Sequence, residues 1–289
     1  MIDIIASGLI VGAAYASLGI GITLVAKMSG VVSFAQSAVA LLGCYSGLAL
    51  GAALAAPPWL GLLLGIGVGA LVGALFGAVI ARWFQGAELR IRSSATMALM
   101  IGGLTIGSRI FGDVPREAPS LVAHAVMDLG GVRLDMGLLL ALGIAVLLAV
   151  MLDAFIERSH AGTRMLAFAQ RPVTAELIGI PATRLTVLVW AVAGGISALS
   201  LNIVMSSTAR SANFMSLSLL ILPALCAALI GGFQSFYLTL AGGLVLGILE
   251  AFLLSVPAVA AYAQAACLPV ILLVLSWMNR KEVWDGQRA

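Results

Sequence analysis

The sequence predicts an all-α polytopic membrane protein of about nine transmembrane helices, within a range of eight to ten, some of them discontinuous. Three observations predict it. Of the 289 residues, 62% are hydrophobic and only 9% are charged, against roughly 25% charged in soluble domains. Mean hydropathy is +1.15, so this surface is not built to face water on all sides. Apolar runs recur along the whole length, and about 20 apolar residues suffice to carry a helix across the hydrocarbon. The runs are continuous instead of alternating, which selects helices over a β-barrel, the other way to satisfy every backbone group in lipid. Residues 1–289 therefore read as a single transmembrane domain.

The spans follow in order. The first, at about 4–27, has no basic residue ahead of it and is longer than a signal-peptide core, so it reads as a retained span. The second is expected at about 31–54. The third, at 59–81, carries Gly61, Gly65, Gly69, Gly73 and Gly77, one every four residues. Each step of four turns about 40° past a full helical turn, so the glycines wind slowly around the helix. They mark it as a scaffold helix buried among its neighbours, where other backbones come close. The fourth span, at 94–112, leads to an external loop of about 113–136, long enough for a short helix or an extended segment. That loop mixes Asp113, Glu117, Asp128 and Asp135 with Arg116 and Arg133, and reads either as a docking surface or as a solvated cap. The fifth span is expected at 137–156, and a polar loop occupies about 157–184. The remaining spans are expected at 185–206, 217–233, 238–256 and 258–278.

Orientation follows from the basic residues. With the N-terminus outside, eleven of the 15 Lys and Arg residues fall inside: Lys27, Arg82, Arg90, Arg92, Arg158, Arg164, Arg171, Arg184, Arg280, Lys281 and Arg288. Arg109, Arg116, Arg133 and Arg210 fall outside. The excess predicts an N-out, C-in chain and places the 157–184 loop in the cytoplasm. The dispersed basic residues, net charge +3, give no footprint for nucleic acid.

Enzymatic constellations are missing. No Gly-x-x-x-x-Gly-Lys-Ser/Thr loop occurs, since neither lysine, Lys27 or Lys281, follows a glycine. His124 and His160 fall in loops on opposite sides, without the clustered cysteines or carboxylates a metal site needs. Cys44, Cys226 and Cys267 lie far apart in apolar runs and read as small buried hydrophobes. The chain is expected to be no enzyme and to bind no metal or cofactor itself.

Polar groups inside the apolar runs are the candidates for function. Glu250, in LVLGILEAFLL, has no basic residue in its own span. It either lines a polar pathway, accepts helix-end or side-chain donors, or carries a proton. Two polar, glycine-bearing interruptions accompany it: MSGVVSFAQSAVALLG, with Phe34, Gln36 and Ser37, and LIGGFQSFYLTLAGG, with Gly231, Gly232 and Gln234. Paired interruptions of this kind mark either broken helices around a translocation path or short turns at the membrane face.

In the cytoplasmic loop, RMLAFAQRPVTAELIGIPATRL has the punctuation of one short helix. Pro172 suits the first helical turn, Gly179 suits a left-handed C-cap, and Pro181 blocks continuation. Leu177, Ile178 and Ile180 offer an apolar knob, with Arg171 and Glu176 as polar rim. Such a helix either docks on a partner or lies in the headgroup layer.

Three blocks together resemble the permease subunits of bacterial ABC importers for branched-chain amino acids. SFAQSAVALLGCYSG (Ser33–Gly47) resembles the family's Asn-Phe-Ala-His-Gly segment. AALIGGFQSFYLTLAGGLVLGILEA (Ala227–Ala251) is similar to its double-glycine and Glu-Ala block. Arg158–Ser200 is similar to the long cytoplasmic loop entering the next span. The chain departs from the family pattern at Gln36-Ser37, where His-Gly is usual. It departs again at Pro223, and at the bulky Gln234, Phe236 and Tyr237.

The resemblance implies a permease domain in a bacterial inner membrane. It implies a second permease subunit, identical or different, two cytoplasmic ATPases that hold ATP and Mg, and an extracytoplasmic solute-binding protein. It further implies alternating access for a small polar solute, with Arg171, Pro172, Glu176, Leu177, Gly179 and Ile180 as the helix that couples to the ATPase. Phe34, Gln36, Ser37, Gly231, Gly232, Gln234 and Glu250 are the path candidates. A stand-alone secondary transporter or channel is the alternative, compatible with Glu250 and the interruptions.

Overall fold

The computed structural model describes residues 2–84, 86–112, 126–129, 132–170, 175, 181–207, 213–257, 259–260, 262–263 and 267–286. Its helices run α1 (Ile2–Ser29), α2 (Gln36–Ala53), α3 (Pro58–Trp83), α4 (Leu89–Phe111), α5 (Met136–Arg158), α6 (His160–Gln170), α7 (Ala182–Ser207), α8 (Phe214–Ser218), α9 (Ile221–Ile230), α10 (Phe236–Ser255) and α11 (Cys267–Gly286). A two-stranded antiparallel hairpin, β1 (Val126–Leu129) with β2 (Val132–Asp135), fills part of the loop expected to hold a short helix or extended segment; Val126 faces Asp135 and Leu129 faces Val132.

Among the described residues, seven helices are long and apolar enough to cross a membrane, and they coincide with the first six expected spans and the eighth. The molecule is a multi-pass membrane protein. The two other expected spans are shorter apolar elements. Residues 217–233 hold the end of α8 and the whole of α9, and 258–278 holds only the start of α11.

Proline explains the first difference. Pro223 has no N–H to offer Leu219, whose carbonyl instead accepts from Leu222 at 3.1 Å, while Leu220 bonds back to Leu217. These tight i→i−3 bonds replace the α-helical ladder and break the helix between Ser218 and Ile221. Pro257 acts through its predecessor: Val256 is extended, with φ −103° and ψ 106°, and α10 stops at Ser255.

α1 and α7 form the centre of the bundle. α1 is apolar around its whole circumference, the pattern of a helix without a solvent face, and 78% of its span is buried; for α7 the figure is 72%, against 17% for the peripheral α4. The contacts at the centre are made by glycine. Along α1, a Cβ on Gly8 would lie 2.8 Å from Ile248 Cα and one on Gly12 would lie 2.9 Å from Leu244 Cα, both on α10. Gly243 and Gly247 meet α1 in the same way. Backbone therefore rests on backbone.

The α3 glycines divide between two neighbours. Gly61 and Gly65 lie against Gly47, Gly51 and Gly43 of α2, whereas Gly69, Gly73 and Gly77 lie against Ala198, Gly194 and Trp190 of α7. The 40° drift per step carries one series from one partner helix to the next, yet only 28% of the α3 span is buried, so the helix is packed along its glycine face and not enclosed by neighbours as expected.

After α5, the chain turns into α6 through an N-cap: the Ser159 hydroxyl accepts from Gly162 N at 2.9 Å. A Cβ at Gly162 would lie 2.5 Å from Ile156 Cα, so α6 folds back tightly on α5. Its buried Met165 enters the cluster of Leu24, Met28, Leu152 and Ile156.

One pair of substitutions on α3 tests this packing. Gly67 faces open space, whereas a Cβ at Gly69 would lie 2.5 Å from Ala198 Cβ. Gly67→Ala is expected to leave stability unchanged or raise it by up to ~1 kcal/mol through helix propensity. Gly69→Ala is expected to lower it by about 1–3 kcal/mol through overpacking, read as thermal unfolding of the purified chain in detergent. Equal melting of the two variants would contradict the packing described.

Candidate functional site

The two polar interruptions are connections between successive helices, and both pack at the Lys27 end of α1. The first leaves α1 through Gly30, at φ +68°, and enters α2 at Gln36. Its extended backbone is held by α4: the Thr96 hydroxyl accepts from Phe34 N at 3.2 Å and lies 2.8 Å from Ser93 O and 3.3 Å from Val32 O.

The second closes α9 with a Schellman arrangement. Phe233 N bonds to Ala228 O at 2.9 Å and Gly232 N to Leu229 O at 2.8 Å, with φ +59° at Gly232 and +55° at Phe233. Gly231 lies so close to the start of α10 that a Cβ would sit 2.7 Å from Ser235 O. Ser235 then caps α10 by accepting from Leu238 N at 3.3 Å.

α1 ties the second connection down. Thr23 and Thr239 share a hydrogen bond of 3.1 Å, and Lys27 Nζ lies 5.0 Å from the centroid of the Phe236 ring. A cation over a ring face is worth about 0.5–1 kcal/mol at exposed sites and more when desolvated.

Beside the first connection lies a buried polar group. Gln36 is fully buried; its Oε1 accepts from Ser197 Oγ of α7 at 2.9 Å. Among the described residues, three buried side-chain atoms have no hydrogen-bond partner: Gln36 Nε2, Ser33 Oγ and Trp190 Nε1. An unsatisfied buried polar atom costs about 1–3 kcal/mol, and native proteins keep few of them. Of the three, Gln36 Nε2 lies where α2 and α7 meet, Ser33 belongs to the first connection, and the Trp190 side chain packs against Gly77 of α3.

Glu250 stands apart from this group. It lies roughly 16 Å farther along α10 than Thr239, at 1.5 Å per residue. Its Oε2 accepts from the buried Tyr15 hydroxyl of α1 at 2.5 Å. Tyr15 and Glu250 line a cavity of about 40 Å³ with Leu219, Leu220, Leu222, Pro223 and Cys267. The break between α8 and α9 supplies Leu219 and Leu220, and the first turn of α9 supplies Leu222 and Pro223.

The sequence-derived path residues accordingly fall into two places. Phe34, Gln36, Ser37, Gly231, Gly232 and Gln234 lie at the Lys27 end, Gln36 and Ser37 buried and Gln234 exposed. Glu250 lies at the other end. Gly61, Gly65, Gly69, Gly73 and Gly77 lie against α2 and α7. Arg171, Pro172, Glu176, Leu177, Gly179 and Ile180 lie outside the described residues.

Sequence reasoning passed over Tyr15, Thr23, Thr96, Ser197 and Thr239, which hold these groups. The available signal was polar side chains within strongly apolar helices: Tyr15 and Thr23 interrupt α1, and Ser197 follows the Gly194-Gly195 pair of α7. Among the described residues, no cluster of three or more His, Cys, Asp or Glu side chains offers a metal site.

The Gln36–Ser197 bond makes a measurable prediction. Ser197→Ala leaves Gln36 Oε1 unpaired and is expected to cost about 1–3 kcal/mol. Adding Gln36→Leu is expected to recover part of that loss, giving a coupling of about 0.5–3 kcal/mol in a double-mutant cycle. Strictly additive losses on thermal melting would show that the two side chains do not act as a pair.

Comparison with known proteins adds the following. PsaBC from Streptococcus pneumoniae, solved in complex with Fab, resembles this chain with a TM-score of 0.46 and 16% identity, covering 94% of this chain and 89% of that one. No curated protein matches. Residues 4–275 match the family described as branched-chain amino acid transport system / permease component. With that match spanning nearly the whole helical bundle, the chain belongs to the family of permease components of branched-chain amino acid transport systems.

Proposed function

We propose that this chain is the membrane permease subunit of an ATP-binding-cassette importer in a bacterial inner membrane. Its solute is a small polar molecule, a branched-chain or other amino acid or a related amide. Family membership over residues 4–275 carries the reading. The absence of a P-loop from the sequence agrees with it, because ATP would then be held by partner subunits.

In this reading a second permease subunit completes the pathway, and an extracytoplasmic binding protein delivers solute. Cytoplasmic ATPases hold ATP and Mg. The basic-residue count sets the orientation, N-terminus out and C-terminus in. Both helix connections and the 157–184 loop then face the ATPases. ATP-driven closure pushes on this loop, whose first part, α6, is fastened to the core through Met165. Movement at the loop reaches α1 through that cluster, and alternating access follows from two arrangements of the same packed helices.

Binding-protein-stimulated ATP hydrolysis in vesicles, with the chain co-expressed beside its ATPase, is the direct test. Stable association and stimulation are expected; a chain that never associates with an ATPase contradicts the reading. Gly179→Pro and Glu176→Arg are expected to insert normally, yet to lower uptake by at least about fivefold, the lower end of ordinary coupling energies between sites. Full uptake in both variants removes the loop from the mechanism.

A further inference from the structure

We infer that the Tyr15–Glu250 cavity is a binding site for a small primary ammonium group, and that the solute enters it amino end first. The second half of this statement rests on the amino-acid reading above; the first half does not.

The observation behind it is an unbalanced carboxylate. Glu250 is partly buried, and among the described residues its hydrogen-bond partner is Tyr15. A carboxylate offers about four lone-pair sites, and one phenol occupies one of them. The cavity lining holds no lysine, arginine or histidine. α8, α9 and α10 contain no basic residue, and α11, which supplies Cys267, carries its basic residues, Arg280 and Lys281, roughly 20 Å farther along its axis. The one basic side chain of α1, Lys27, lies roughly 18 Å from Tyr15 along the helix and is engaged with Phe236. Among the described residues, the remaining acceptor sites of this carboxyl group meet no protein donor, and a donor-bearing ligand in the cavity would fill them.

The rest of the lining identifies the ligand's chemistry. A hard divalent cation takes six or more oxygen ligands, and this cavity offers one carboxylate and one phenol, with a thiol, a proline and three leucines around them. An ammonium group needs few acceptors: the carboxylate takes two of its hydrogens and the phenol oxygen a third. Apolar walls suit the carbon attached to it. A volume of about 40 Å³ receives a head group, not a whole amino acid. Leu219 and Leu222, 48% and 49% exposed, offer an outer apolar surface for the remainder. Pro223 belongs to the same lining, because it breaks the helix and brings these leucines to the carboxylate.

The test titrates the purified full-length chain in detergent with n-butylammonium chloride. Sodium chloride at equal ionic strength, 1-butanol and sodium butyrate serve as comparisons. Calorimetry is expected to show saturable binding of n-butylammonium alone. That binding is expected to be at least about tenfold weaker in Glu250→Gln and retained in Glu250→Asp. As a readout independent of any variant, n-butylammonium is expected to slow labelling of wild-type Glu250 by dicyclohexylcarbodiimide, followed by peptide mass spectrometry. The inference is overturned if n-butylammonium fails to bind the wild type, binds Glu250→Gln equally well, or protects no better than sodium chloride. Leucine uptake by the reconstituted transporter separates the two claims. Uptake without n-butylammonium binding removes the site alone. Binding at Glu250 without leucine uptake keeps the site and removes the amino-acid solute.

Discussion

Everything in this bundle depends on backbone meeting backbone at glycine. In lipid the tails are as apolar as leucine, so burying a leucine between helices gains little, and close packing has to supply the attraction. Gly8 and Gly12 of α1 against Gly243 and Gly247 of α10 form one seam, and the α3 glycines against α2 and α7 form the other. A methyl group at most of these positions would overlap a neighbour's backbone or side chain. Packing of that kind is bistable and does not deform smoothly, which suits a frame that moves as rigid pieces.

The polar groups are arranged at the two ends of this frame. At the Lys27 end, Thr23, Thr239, Thr96, Gln36 and Ser197 link α1, α2, α4, α7 and α10. At the other end, Tyr15 and Glu250 face the break between α8 and α9. On α10, Gly243 and Gly247 lie between Thr239 and Glu250, whereas on α1 Gly8 and Gly12 lie beyond Tyr15. A disturbance at one end therefore has a stiff route to the other through α1, which touches both groups. The unpaired Gln36, Ser33 and Trp190 atoms are donors that a second arrangement of the helices would gain by pairing.

The sequence made much of this legible, for identifiable reasons. Long apolar runs located the seven long helices, because in a membrane hydrophobicity and helix length are a single constraint. Pro223 changed an expected span through a missing donor, and Pro257, through its restricted predecessor, ends α10 where the sequence expected it. Periodic glycines identified α3 as a packing helix, yet which helices it met depended on tertiary arrangement. Glu250 stood out as a lone charge in an apolar run, whereas Tyr15 did not; their pairing joins residues 235 positions apart, beyond the reach of any local pattern. α6 was hidden because His160–Gln170 is only moderately apolar, and its Ser159 cap resembles ordinary loop sequence.

The central claim is that this glycine-packed frame carries solute only when an ATPase moves it. The measurement that tests it most directly is accumulation of labelled leucine in sealed vesicles, comparing the assembled transporter with the isolated chain. The account predicts accumulation against a gradient with ATP and partners present, and none from the isolated chain under an imposed ion gradient. Uptake by the isolated chain, driven by ions and indifferent to ATP, would contradict it.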